Sequence, residues 1–321
     1  MRTARRLSIV AMGALLGLGL VGTAQASTSV SPQTREDTLS AMHGEAFAYA
    51  SYNAYAQEAA RTGIDALAKL FRKTAHTERY DHFAAEARLI HFVRGNADNL
   101  RTSIAGETRE ATVIYPYFAY QAEQDRCEPA AKLFRELAAD EAVHAKRFRR
   151  ALYAITHPHS GVVVPVGEYF RPKPIFASLP ACRGRTRENL LATIRGEAFA
   201  NASYTSYAEK ARQTGQPRLA RLWENTASQE LGEHFAEAAE LYGLVRDNKA
   251  NLLKSMKGEL HEATVMYPTY AQRAEQAGDD EAADLFFEIA VDEAHHACDF
   301  LLASLEIVVP STPSDHAGMR S

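Results

Sequence analysis

Two tandem four-helix bundles without a sheet are what the sequence predicts, and three observations carry that expectation. Apolar residues recur at helical spacing along nearly the whole chain, and no stretch shows the alternation of a half-buried strand. The chain also repeats itself. GEAFAYASYNAYA from Gly44 returns as GEAFANASYTSYA from Gly196, and EATVIYPYFAYQAEQ from Glu110 returns as EATVMYPTYAQRAEQ from Glu262. Both offsets are 152 (196 − 44 and 262 − 110), so one domain is duplicated in tandem without an insertion. Finally, the helical stretches are long and the gaps between them short, which favours antiparallel neighbours in an up-down bundle.

In chain order, residues 1–26 read as a signal peptide, with a basic start, an apolar run from Leu7 to Val21 and a small-residue ending at Ala24-Gln25-Ala26. Cleavage before Ser27 predicts an exported protein, periplasmic or secreted. The apolar run is short of the ~20 residues a membrane span needs. Residues 27–156 form the first bundle, with helices expected at about 36–61, 64–93, 97–125 and 127–156. Residues 157–186 are a proline-rich linker whose GVVVPVGEYF suits an extended segment on a bundle surface. The second bundle, 187–308, has helices at about 187–213, 217–245, 249–277 and 279–306, and 309–321 is a frayed tail. Thr62-Gly63 and Thr214-Gly215 stop the first helix of each copy, and Pro129 and Pro217 sit near helix starts. Pro116 and Pro268 instead fall inside the third helices, where each removes a backbone donor and predicts a kink.

Composition narrows the function classes. Of 321 residues, 46% are hydrophobic and 24% charged, which excludes disordered and collagen-like chains. The formal charge is −4, or −7 without Arg2, Arg5 and Arg6 of the leader, and there is no basic patch for nucleic acid. Cys127, Cys182 and Cys298 contain no CxxC, so a zinc ribbon or an Fe(Cys)4 site cannot be built. In an oxidising compartment two of them can pair, and the sequence does not choose which.

The polar residues that recur at offset 152 point to a metal. Glu45/Glu197 lie on the first helices, and Glu78/Glu230 with His82/His234 on the second. Glu107/Glu259 and Glu110/Glu262 lie on the third, and Glu141/Glu293 with His144/His296 on the fourth. Glu141 and His144 are three apart and Glu78 and His82 four apart, so each pair shares a helical face. Their flanks are small and apolar (GEAFA, LAADEAVHA, IAVDEAHHA), which puts the acids on the face that is buried. One glutamate from each of two helices, plus a Glu/His pair from each of the others, is the ligand pattern of di-iron and di-manganese bundles. Unpaired, seven such groups in one core are too costly to bury. These ligand types accept iron, manganese or a mixed pair.

On these residues the sequence resembles the di-iron domain of rubrerythrins, in the ferritin-like superfamily, twice over. The matching stretches are GEAFAYASYNAY, FRKTAHTERYDHF, AGETREATVIYPYFA and LFRELAADEAVHAKRF, with their second-copy counterparts. The resemblance implies one di-iron centre per bundle, with Glu110 and Glu262 as the family's additional carboxylate, which exchanges with the second-helix histidine. It also implies that Tyr52/Tyr204 and Tyr115/Tyr267 lie close to the metals. Two departures stand out. The family's second-helix ExxH is one residue longer here, Glu78 to His82 and Glu230 to His234. Either a π-bulge absorbs the extra residue, or Asp81 and Glu233 replace the imidazoles. The second departure is the missing Fe(Cys)4 centre, which leaves reduction to an external electron donor.

The function expected is therefore an exported di-iron oxidoreductase reducing hydrogen peroxide, with dioxygen as the competing small-molecule substrate. A ferroxidase or iron-handling protein would use the same ligands, and a non-catalytic helical binding module would have let one ligand set decay. The duplication further suggests an internal pseudo-dimer, or a homo-oligomer.

Overall fold

The structure is a computed structural model that describes residues 30–308; the leader (1–26) and the tail (309–321) lie outside the described residues. It contains eight long helices: α1 (Pro32–Arg61), α2 (65–89), α3 (96–124), α4 (Glu128–Thr156), α5 (Gly184–Gln213), α6 (217–242), α7 (248–277) and α8 (Asp280–Val308). Their ends follow local chemistry. The Ser31 hydroxyl accepts from the Thr34 N–H at the start of α1, and Asp247 accepts from the Ala250 N–H at the start of α7. Gly63 and Gly215, at φ +78 and +70, take the left-handed conformation just past α1 and α5. No helix among the described residues is long and apolar enough to cross a membrane.

The helices do not group by sequence copy. α1 and α2 pack with α7 and α8 (bundle I), while α3 and α4 pack with α5 and α6 (bundle II). The expected domains 27–156 and 187–308 are thus sequence copies, and each bundle takes two helices from each. In bundle I the start of α1 meets the start of α8, the Ser31 N–H donating to Asp279. The end of α1 meets the start of α7, Asn248 donating to Thr62. α1 therefore runs parallel to α8 and antiparallel to α2 and α7, so α2 and α7 run the same way. A chain leaving α2 through residues 90–95 can reach at most about 25 Å. The helix it has just completed is about 37 Å long at 1.5 Å per residue. The connection cannot return along its own bundle to start a parallel helix. It reverses direction, as its shortness predicts, but into the other bundle, where Asn96 donates to Thr214 at the end of α5.

The bundles pack on each other through α1 and α5. His43 stacks on Phe199 at 3.7 Å, and the Arg195 guanidinium lies 5.4 Å from the Phe47 ring centre. Arg79 of α2 is buried between the bundles and donates to the Ala202 carbonyl (2.8 Å) and to Thr205 (2.6 Å).

Residues 157–183 carry no helix or strand and run along α6, with the Lys173 N–H on the Gly232 carbonyl and the Ala181 N–H on the Leu241 carbonyl. α5 begins at Gly184, three residues before the expected boundary. A side chain at Gly232 would press on Pro172 at 3.2 Å, so the close approach of the strap favours glycine there. A Cys127–Cys182 disulfide ties the strap's end to the start of α4 across 55 residues, leaving Cys298 free. Closing a loop of that length stabilises by about 2–4 kcal/mol. Cys127→Ser with Cys182→Ser is expected to lower the melting temperature by several degrees without changing helicity, which circular dichroism will read.

Candidate metal centre

Each centre is built around irregular helix turns. In α2 a π-turn spans Glu78–His82 and in α6 another spans Glu230–Phe235. The extra residue in each second helix is absorbed there, and the imidazoles stay inside. His82 Nδ1 sits 3.0 Å from Glu78 and His234 Nδ1 2.9 Å from Glu230. Asp81 is exposed; Glu233 is half-buried, pairs with Lys173 at 2.9 Å and groups with Asp140 on the outer side of His234. The third helices behave alike, with π-turns at Glu110–Ile114 and Glu262–Met266. The Tyr115 N–H reaches back five residues to the Glu110 carbonyl, and the next residue is Pro116, which has no N–H to place. Where kinks are expected at Pro116 and Pro268, the structure has a π-turn ending two residues before each proline.

The predicted residues come together, but across the copies. In bundle I, Glu45, Glu78 and His82 meet Glu259, Glu293 and His296; in bundle II, Glu197, Glu230 and His234 meet Glu107, Glu141 and His144. All but His296 are fully buried. His82 Nδ1 faces Glu293 (3.0 Å), Glu78 (3.0 Å) and Glu45 (3.7 Å), while His296 Nδ1 faces Glu293 (2.8 Å), Glu78 (3.2 Å) and Glu259 (3.7 Å). Two four-residue groups result, Glu45/Glu78/His82/Glu293 and Glu78/Glu259/Glu293/His296, and they share Glu78 and Glu293. Bundle II repeats the arrangement with Glu141 and Glu230 shared. Two overlapping groups joined by two glutamates suit a pair of cations bridged by carboxylates. Glu110 and Glu262 stand beside these groups; Glu262 Oε1 comes within 3.6 Å of the space a Gly44 side chain would fill.

All four predicted tyrosines touch this set. Tyr52 donates to Glu259, Tyr204 to Glu107, Tyr115 to Glu197 and Tyr267 to Glu45. Two outer imidazole nitrogens are held as well. His144 Nε2 meets Gln229 at 2.9 Å and His82 Nε2 meets Asp292 at 3.4 Å, whereas His234 Nε2 lies 3.4 Å from Asp140 without a hydrogen bond among the described residues. One residue escaped the sequence reading. Glu86 is fully buried and shares the Tyr267 hydroxyl (3.0 Å) with Glu45, yet its counterpart in the second copy is Ala238.

The electrostatics call for cations. Burial, then the charge of Glu259, pushes Glu78 up to about 7; burial, then Glu141 and Glu230, pushes Glu110 up to about 8. His296 rises to about 12 because Glu259, Glu293 and Glu78 outweigh its burial. Among the ligand carboxylates, three oxygens in each centre (on Glu78, Glu259 and Glu293, and on Glu107, Glu141 and Glu230) are buried without a hydrogen-bond partner among the described residues. Such orphaned acceptors are what a bound metal pair satisfies, so the residues fit the group.

A pH dependence follows for the metal-free protein. Glu78 and Glu110 hold more protons folded than unfolded between about 4.5 and 8, as His296 does above about 6.5. Stability from these groups is complete at low pH and is lost as pH rises. Glu45, Glu141 and Glu230, which are held below the usual range, act only below about 4.5. Thermal melts in chelator are therefore expected at lower temperature at pH 8 than at pH 5.5. Metal should reverse the order, because its ligands must be deprotonated.

The fold and the two clusters define the class: a helical-bundle protein with buried carboxylate and imidazole groups that could hold metal ions. The rubrerythrin family model matches residues 98–181 and 188–304, and the chain belongs to that family, whose members bind di-iron centres. Nigerythrin of Nitratidesulfovibrio vulgaris is 35% identical over 146 residues, 41% of this chain and 72% of that protein. Rubrerythrin of the same organism is 35% identical over 130 residues (36% and 68%), and that of Porphyromonas gingivalis 32% over 143 residues (41% and 70%). No solved structure matches the chain.

Proposed function

We propose that the protein is an exported di-iron enzyme that reduces hydrogen peroxide at two centres, with electrons from an external donor. The observation that carries this reading is the sharing of two glutamates between two buried ligand groups in each bundle. Bound there, a ferrous pair supplies the two electrons that cleaving a peroxide O–O bond requires. Glu78 and Glu293 would lie between the cations of one centre, with Glu45 and His82 on one ion and Glu259 and His296 on the other. Glu141 and Glu230 would bridge the second centre, with Glu197 and His234 opposite Glu107 and His144. Tyr52, Tyr204, Tyr115 and Tyr267 hold the terminal carboxylates in place through their hydroxyls. Glu110 and Glu262, raised in the metal-free protein by burial and by neighbouring carboxylates, stand beside the ligand groups where a carboxyl could take up or give a proton as the charge of the centre changes. Export is supported by the leader and by the disulfide, which persists in an oxidising compartment.

Stopped-flow mixing of the diferrous protein with hydrogen peroxide and with dioxygen tests the reading. Oxidation much faster with peroxide is expected. Equal rates, or sustained uptake of iron well beyond two pairs per chain, would favour iron handling instead.

A further inference from the structure

The approach to the ligand cluster of bundle I (centre I; that of bundle II is centre II) is larger than hydrogen peroxide needs. A cleft of about 480 Å³ opens there, whereas a molecule of water's size takes about 30 Å³. Tyr52 and Glu262, both at the centre, form its floor; Phe47 and Tyr55 line its walls; Arg195 stands exposed at its mouth, with Lys254 beside it. The Lys254 ammonium lies 5.9 Å from the ring centres of both Phe47 and Tyr55, and the Arg195 guanidinium 5.4 Å from that of Phe47. Two cations therefore converge over an aromatic wall. Like charge crowds the lysine, and burial followed by Arg195 and Arg187 pushes it down to about 8. An anion at the mouth would relieve that crowding. Centre II has Thr102 where centre I has Lys254, so the feature belongs to one centre only.

We propose that this cleft takes an organic hydroperoxide bearing a carboxylate, a reading that rests on the peroxide chemistry above. The carboxylate sits between Lys254 and Arg195, the carbon chain lies on Phe47 and Tyr55, and the O–O group reaches Glu262 and Tyr52. In the reaction, the O–O bond of ROOH breaks with two electrons and two protons, giving ROH and water. A ferrous pair held at the centre would supply the two electrons, and an external one-electron donor would return them in two steps. A pocket of this size with a few convergent polar groups is typical of small-molecule sites.

The first test is calorimetric titration of anaerobic, metal-loaded protein with decanoate, an unreactive carboxylate. One decanoate is expected per chain, bound about tenfold more weakly after Lys254→Ala and more weakly still with Arg195→Ala added, with Lys254→Arg retaining most of the affinity. The second is the ratio of oxidation rates of the diferrous protein with a fatty-acid hydroperoxide and with neutral cumene hydroperoxide, expected to fall about tenfold in the double variant. Decanoate binding that is absent, or indifferent to both substitutions, overturns the proposal, as does an unchanged ratio. If no peroxide oxidises the protein faster than dioxygen, the peroxidase reading falls and the substrate proposal with it. Charge-dependent decanoate binding would then leave only a carboxylate site.

Discussion

Expressed alone, residues 96–242 are expected to fold into a single helical bundle that binds two metal ions, while residues 30–156 cannot complete a centre as a monomer. The first segment contains α3, α4, the strap, α5 and α6, with all of Glu107, Glu110, Glu141, His144, Glu197, Glu230 and His234. It also keeps the Cys127–Cys182 disulfide, both halves of which lie inside it. The second segment is one whole sequence copy, yet it holds Glu45, Glu78 and His82 of centre I and Glu107, Glu141 and His144 of centre II. Each of its centres lacks one of the two shared glutamates, one of the two unshared glutamates and one imidazole. Since losing even outer partners of a metal ligand lowers affinity roughly 10–100-fold, monomeric 30–156 is expected to bind metal on the order of 100-fold more weakly, or more weakly still. Two copies can restore both centres by pairing as the halves of the intact chain do, so metal should drive this segment to a dimer. Metal analysis and light scattering of the two segments decide the matter. A monomeric 30–156 that retains a full metal pair would mean that each copy closes on itself.

Much of this was legible from spacing alone. The recurrence at 152 picked out every carboxylate and imidazole of the four overlapping ligand groups, because a buried acid tolerated twice at one helical register needs a common cause. The four-residue interval from Glu78 to His82 also admitted the π-turn that the structure contains. What the sequence concealed was the pairing of hairpins. Helical periodicity says which face of α2 is buried, but both copies offer nearly the same complementary face, so pattern cannot say whose third and fourth helices cover it. The limit lies in the connection: residues 90–95 are too few to lead back along a 25-residue helix, and chain length decides what hydrophobic pattern leaves open. The strap was legible as extended and proline-rich, whereas its partner α6 depended on Gly232 and Gly243, where close backbone approach and a positive φ are needed. Recurrence as a filter has its own blind spot, for it discards whatever only one copy possesses. Glu86 sits in HFAAEARL, an acid among small apolar residues, and that flank was the available signal.

Because Glu86 has no counterpart, the two centres are expected to differ in reduction potential, and Glu86→Gln should move one of them alone. Centre I gathers Glu45, Glu78, Glu86, Glu259, Glu262 and Glu293, while centre II has the corresponding set with Ala238 in place of the sixth carboxylate. With two divalent ions and every acid ionised, the formal charges of the two sites are −2 and −1. One Glu86 oxygen shares the Tyr267 hydroxyl with Glu45, and the other is buried without a partner among the described residues. In metal-free protein, burial and the charge of Glu45 keep Glu86 well above the usual carboxylate range, so it carries a proton. Nearby cations favour the ionised form, and the extra negative charge then favours the ferric state. A unit charge about one helical turn away is worth roughly 2–3 kcal/mol at an effective dielectric of about 20. That corresponds to about 100 mV in a one-electron step. Anaerobic spectroelectrochemical titration should therefore resolve two waves, the lower belonging to centre I. Glu86→Gln should raise that wave and leave the other in place, so centre II serves as an internal reference that a general loss of stability would not spare. Ala238→Glu should lower the second wave in turn. A single wave in the natural protein, or a Glu86→Gln shift shared by both centres, would show that this carboxyl keeps its proton when metal binds and has only a packing role beside Tyr267.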